Sequence, residues 1–93
     1  MSHDSRAPAP SREAVREHLA GLVHEIARVP LDVITEDSTI DQDIRMESVA
    51  FVELQVTLED EYGIELDAVQ VVELNRFGAI VDYVHDLARR AAA

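Results

Sequence analysis

Apolar residues recur along this chain at helical spacing, and the recurrence is interrupted where prolines, glycines and short polar residues cluster. Ser11 offers a helix N-cap, and Val15, Leu19, Leu22, Val23 and Ile26 follow on one face. This first helix must stop before Pro30, because the residue preceding a proline is disfavoured in the α region. Positions 30–47 lose the period and fill with Asp, Ser and Thr. A connection of that length inside a compact domain is functional or conceals a short helical turn. A second helix is predicted from about Ser48 to Tyr62, with Gly63 as its C-terminal stop. Around that helix Phe51, Leu54, Leu58 and Tyr62 share one side, and Val49, Val52 and Val56 share another. Ala50, Glu53, Thr57, Asp60 and Glu61 fill the strip left over. The distribution predicts a central helix contacted on two sides, with one acidic strip facing water. Ile64 and Leu66 lead into a short helix around Val69, Val71, Val72 and Leu74. Phe77, Ile80, Val81, Val84, Leu87 and Ala88 mark a last helix, with Arg89 and Arg90 well placed for its C-terminal dipole.

The predicted architecture is all-α: a small four-helix bundle of three longer helices and one short one, with a long loop between the first two. Residues 1–10, with Pro8 and Pro10, read as a flexible leader, 11–90 as the folded domain and 91–93 as a fraying tail. Ninety-three residues hold one core and no more. Only 4% of residues are aromatic and there are just 3 Gly, which suits helices better than a β-fold rich in turns. Cysteine is absent, so disulfides, thiolate metal sites and cysteine nucleophiles are excluded. No apolar run approaches the roughly 18 residues of a membrane span, and nothing reads as a secretory leader. The expectation is a soluble, cytoplasmic, free-standing monomer with no membrane partner.

Charge changes the picture once it is located. The formal net charge is −11. Arg6, Arg12, Arg16 and Arg28 balance the four acids of residues 1–31, whereas residues 32–73 hold thirteen acids against Arg45 alone. That stretch repels phosphate backbones and attracts basic surfaces, so basic proteins are expected partners and nucleic acid is not. Solubility alone would not require such segregation.

Candidate chemistry is sparse. His3, His18, His24 and His85 cluster by spacing with no nucleophile or ligand set. Asp37, Thr39, Asp41 and Asp43 hint at a calcium loop, but Met46 or Gln42 falls where the template needs Gly. Glu59, Asp60 and Glu61 run round a helix and read as a solvated acidic face. No glycine-rich phosphate loop occurs, and nothing assembles an active site. Ser48 remains, at the junction of the long loop and the central helix. A serine there is an ordinary N-cap; it is also a hydroxyl beside free N–H groups and a positive dipole end, where an esterified phosphate is tolerated. No neighbouring base would activate it, so it reads as an acceptor of modification and not as a catalyst.

This stretch resembles the acyl carrier protein family, the phosphopantetheine-binding carriers of fatty acid and polyketide synthesis. The family places Asp-Ser-Leu at this loop-to-helix junction; here the residues are Glu47-Ser48-Val49, followed by Ala50-Phe51-Val52-Glu53-Leu54 where the family ends in Val-Glu-Leu. Leu58-Glu59-Asp60-Glu61-Tyr62-Gly63-Ile64-Glu65-Leu66 is similar to the family's Leu-Glu-acid-acid-Phe segment and the Glu-Ile after it, and Ile80-Val81-Asp82-Tyr83-Val84 to its closing Ile-Asp-Tyr-Ile. The likeness covers about residues 12–88. Glu47 in place of Asp, Arg45 in place of a common Gly, and Val49 in place of Leu are departures.

The resemblance implies a non-catalytic carrier. A phosphopantetheinyl transferase would join a 4'-phosphopantetheine arm to Ser48 through a phosphodiester. The carrier would then present acyl or aminoacyl groups, as thioesters, to an acyltransferase or an acyl- or aminoacyl-loading ligase and to a ketosynthase. Arg45, Glu47, Val49, Glu53, Thr57, Asp60 and Glu61 are the expected partner-docking residues, with Thr57 a neutral gap. Phe51, Leu54, Val56, Val69, Val72 and Ile80 are candidates to part and shelter an acyl chain, or else form a closed core. The all-Arg, Ala-rich usage and the motif departures favour polyketide or related secondary metabolism. A peptidyl carrier of non-ribosomal peptide synthesis and an acidic interaction module without prosthetic group stay open.

Overall fold

The computed structural model describes residues 9–92, so residues 1–8 of the expected leader, and Ala93, lie outside the described residues. Helix α1 (Arg12–Ala27) is followed by the long connection, then α2 (Ser48–Tyr62), α3 (Ala68–Leu74) and α4 (Phe77–Ala92). Among the described residues there is no strand beyond a single bridge between Thr39 and Arg76. No described helix is long and apolar enough to cross a membrane. The punctuation acts as the sequence suggests. Ser11 Oγ accepts from Ala14 N at 3.1 Å to cap α1, and Gly63 ends α2 in the left-handed conformation.

The core is built where the apolar stripes of α1, α2 and α4 meet. Val15, Leu19 and Val23 of α1 pack with Leu54 and Leu58 of α2 and with Phe77, Ile80, Val81 and Val84 of α4. Removing each such side chain from water contributes about 1.5–3 kcal/mol. Ile34 and Ile44 of the long connection and Ile64 and Leu66 of the α2–α3 link close the ends of this core.

The long connection is ordered by specific bonds. A short 3-10 turn spans Leu31–Val33 and a π-type turn spans Ile40–Ile44. Buried Ser38 donates its hydroxyl to Val33 O at 2.6 Å, and Ser38 O accepts Phe77 N at 2.7 Å. Gly78 N donates to Glu36 O at 2.9 Å, so loop carbonyls satisfy amides that the start of α4 would otherwise leave open. Arg12 of α1 completes the tie. Its guanidinium donates to both Glu36 carboxylate oxygens, to Gly78 O and to Asp82 of α4.

One expectation is corrected. The second helix is not contacted on two sides: Val49, Val52 and Val56 are 78%, 55% and 58% exposed, and only Leu54 and Leu58 of α2 are fully buried. The one buried residue of α3, Val71, meets the side of α2 that carries Leu54 and Leu58, so no described element covers the valines. Ala91 and Ala92 remain in α4, where alanine favours helix and Arg89 and Arg90 pair with Asp86 one turn earlier.

Candidate functional site

The site grows from the turn that precedes α2. Thr39 caps the π-type turn, accepting from Gln42 N, and the turn closes at Arg45, whose N–H reaches Ile40 O at 2.7 Å. Arg45 is left-handed, with φ 57°, which accounts physically for a glycine being easier at that place. Glu47 is extended and is the N-cap of α2, its carbonyl accepting from Phe51 N at 2.8 Å while its side chain makes no capping bond. Ser48 is therefore the first helical residue and not the cap. Its hydroxyl is exposed and has no hydrogen-bond partner among the described residues, at the positive end of a 15-residue helix.

Ser48 opens onto a surface recess shared with Ile40, Asp41, Arg45, Met46, Phe51, Val52 and Val72. Asp41 is held at the rim by the Asn75 side-chain amide at 3.1 Å. Arg45 Nε donates to Gln42 O at 3.2 Å, and its terminal amino groups make no hydrogen bond among the described residues. The chemistry present is an unengaged alcohol, a cation and a helix N-terminus. It fits an esterified phosphate and lacks a positioned general base.

The acids of the central stretch divide by what they touch. Glu36 and Asp37 pair with Arg12 and Arg76, Asp43 accepts from Thr39 N, and Asp67 caps α3. Glu59 does not belong to the solvated face. It is half-buried and accepts Leu66 N at 2.8 Å, fixing the link between α2 and α3. Glu47, Glu53, Asp60 and Glu61 are exposed without ion pairs among the described residues, as are Val49 and the Arg45 side chain beside them. Thr57 is half-buried and donates its hydroxyl to Glu53 O at 2.8 Å.

Of the expected chain-sheltering residues, Phe51, Leu54 and Ile80 line a void between α2, α3 and α4, together with Leu58, Leu66 and Val71. That void is about 10 Å³, room for about one water. Val56, Val69 and Val72 do not line it. They are 58%, 65% and 59% exposed: Val56 lies on the open side of α2, and α3 presents Val71 inward while Val69 and Val72 face solvent. Phe51 lines both the inner void and the Ser48 recess. Sequence reasoning did not pair His18 with Tyr62, whose hydroxyl shares a 2.8 Å hydrogen bond with His18 Nδ1. Burial pushes the Tyr62 phenol up. Nothing in local spacing signals a contact between residues so distant along the chain. Among the described residues, no three His, Asp or Glu side chains converge on a metal position.

A family profile described as the phosphopantetheine attachment site matches residues 17–84, a span that contains the Ser48 recess and the whole of α2 and α3. An acyl carrier protein of Thermobifida fusca is 28% identical, over 80% of this chain and 94% of that protein. One of Saccharopolyspora erythraea is 30% identical, over 87% of this chain and 85% of that protein. A meromycolate extension acyl carrier protein of Mycolicibacterium aurum is 25% identical, over 85% of this chain and 81% of that protein. With an all-helical fold, an exposed serine at the head of its second helix and this match over most of its length, the chain belongs to the acyl carrier protein family, whose members hold a covalent 4'-phosphopantetheine arm and work with phosphopantetheinyl transferases and synthase enzymes.

Proposed function

We propose that Ser48 is the attachment point and that the chain is a non-catalytic acyl carrier of polyketide or related secondary metabolism. The observation that carries this reading is the exposed Ser48 hydroxyl at the first position of α2, unbonded among the described residues and open to a recess. When bound, the arm supplies a terminal thiol that holds the acyl or aminoacyl group as a thioester. The chain's own residues do the rest. No base is hydrogen-bonded to the serine among the described residues, so its deprotonation falls to the loading enzyme. Glu47, Glu53, Asp60 and Glu61 attract a basic enzyme face, and Arg45, Val49 and Thr57 complete the contact surface. Exposed pairs of this kind speed encounter and weaken with salt, so each partner docks fast and releases readily.

Support for the pathway assignment is the set of departures from the fatty-acid motif, Arg45, Glu47 and Val49, in a chain that uses arginine and no lysine. The partners that fit are a phosphopantetheinyl transferase, an acyltransferase or acyl- or aminoacyl-loading ligase, and a ketosynthase. The test is incubation with coenzyme A and a promiscuous phosphopantetheinyl transferase. The mass should rise by one phosphopantetheine in the native chain and stay unchanged in Ser48→Ala. No gain in the native chain would make the protein an acidic interaction module without a prosthetic group. Gain with aminoacyl loading by an adenylating ligase alone, and none with acyl donors, would move it to the peptidyl carriers.

A further inference from the structure

Arginine supplies every positive charge of this acidic chain apart from its histidines and terminus. Among the described residues, Arg12, Arg16, Arg76, Arg89 and Arg90 all sit against carboxylates. Arg28 and Arg45 do not. Both line a single recess of about 260 Å³ between the end of α1 and the start of α2, with Met46, Glu47 and Ala50. Arg45 also lines the recess onto which Ser48 opens, so it stands between the serine and Arg28. Each of the two is the left-handed C-cap of its helical turn, φ 61° and 57°, a place where glycine would be unstrained. Two cations are thus kept at strained positions, unpaired, around one cavity beside the site.

We infer that Arg28 and Arg45 form a seat for the phosphodiester that joins the arm to Ser48, an inference that rests on Ser48 being the attachment point. A guanidinium offers planar N–H donors suited to phosphate oxygens, and among the described residues only one of those of Arg45 is used. Glu47 is the one acid of that recess and Asp41 the one acid of the recess at Ser48, so the two arginines offset both acids within a stretch that is otherwise strongly negative. The long-range field of the chain opposes a free phosphate ion. A tethered phosphate needs no encounter and is held at high local concentration, which selects the arm over free anions. Seating it would hold the root of the arm beside α1 and orient the remainder.

The test uses native chain, R28Q, R45Q and the double variant, each loaded on Ser48 and verified by mass. Both arginines are exposed, and their replacement should leave the unloaded melting temperature little changed. In the native chain, loading should raise the melting temperature by about 4 °C at low salt. That gain should vanish in the double variant and near 1 M salt, where the screening length is about 3 Å. The Nε–H resonances of Arg28 and Arg45 should move on loading and stay put when millimolar inorganic phosphate is added to the unloaded chain. An equal gain in native and double-variant chains overturns the seat, as does movement with free phosphate alone. A variant that only raises the transferase's KM for coenzyme A would assign the pair to loading instead and overturn it too. A native chain that gains no mass overturns the attachment reading and this one together; loaded chains without the gain overturn only the seat.

Discussion

Replacing Phe51 by alanine tests how this carrier treats its cargo. The ring separates the recess at Ser48 from the inner void, and that void of about 10 Å³ has room for about one water. An eight-carbon chain has no place there unless α2 and α3 part. Deleting a fully buried Phe side chain costs about 3–5 kcal/mol, and Phe51 is half-buried, so Phe51→Ala should cost about 2 kcal/mol. With a urea dependence of about 1–3 kcal/mol per molar, the midpoint should fall by about 1 M. The vacated ring opens a path from the recess inward. Three or four methylenes entering it should restore about 3 kcal/mol, at about 0.8 kcal/mol each. The assay is urea unfolding of the phosphopantetheine and octanoyl forms of both chains. The octanoyl group should stabilise the variant and leave the native chain unchanged. Equal stabilisation of both by about 3 kcal/mol would show that Phe51 closes nothing.

Three further outcomes follow from the geometry. Gly63→Ala should destabilise by about 1 kcal/mol in chemical denaturation, wholly through backbone conformation, because φ is 64° and an added Cβ would touch nothing within 4 Å. The Arg12 guanidinium holds the Glu36 carboxyl below the usual carboxylate range, so its contribution is present above that range and lost as pH falls through the lowered value. Glu36→Gln should therefore lose well under about 1 kcal/mol at neutral pH, the pair being 36% and 45% exposed, and the difference should shrink in acid when melting is followed against pH. Glu53→Gln with Asp60→Gln should slow association with a basic phosphopantetheinyl transferase several-fold at low salt, an effect that stopped-flow mixing should find largely gone near 1 M salt.

Much of the fold was readable from local signals. The limits of α2 at Ser48 and Tyr62 follow from Gly63 and from the end of the polar run, and α1 follows from Ser11 and Pro30. These are short-range matters of capping, dihedral preference and missing donors, so the residues on the spot decide them. Ser48 was readable as a junction serine for the same reason. Its place as first helical residue and not cap depends on one extended residue, Glu47.

The sequence by itself determined which residues share a face of each helix, since periodicity is a property of the chain. It did not determine which faces lie inside. Val52 and Val56 repeat as regularly as Leu54 and Leu58, yet only the leucines are buried, because the other helices pack on the leucine side of α2 and no described element covers the valines. Arg12 meeting Asp82, Glu59 meeting Leu66 N, and Arg28 sharing a recess with Arg45 are likewise products of the assembled helices. A helical face becomes interior only when another element is long enough, and near enough, to exclude water from it.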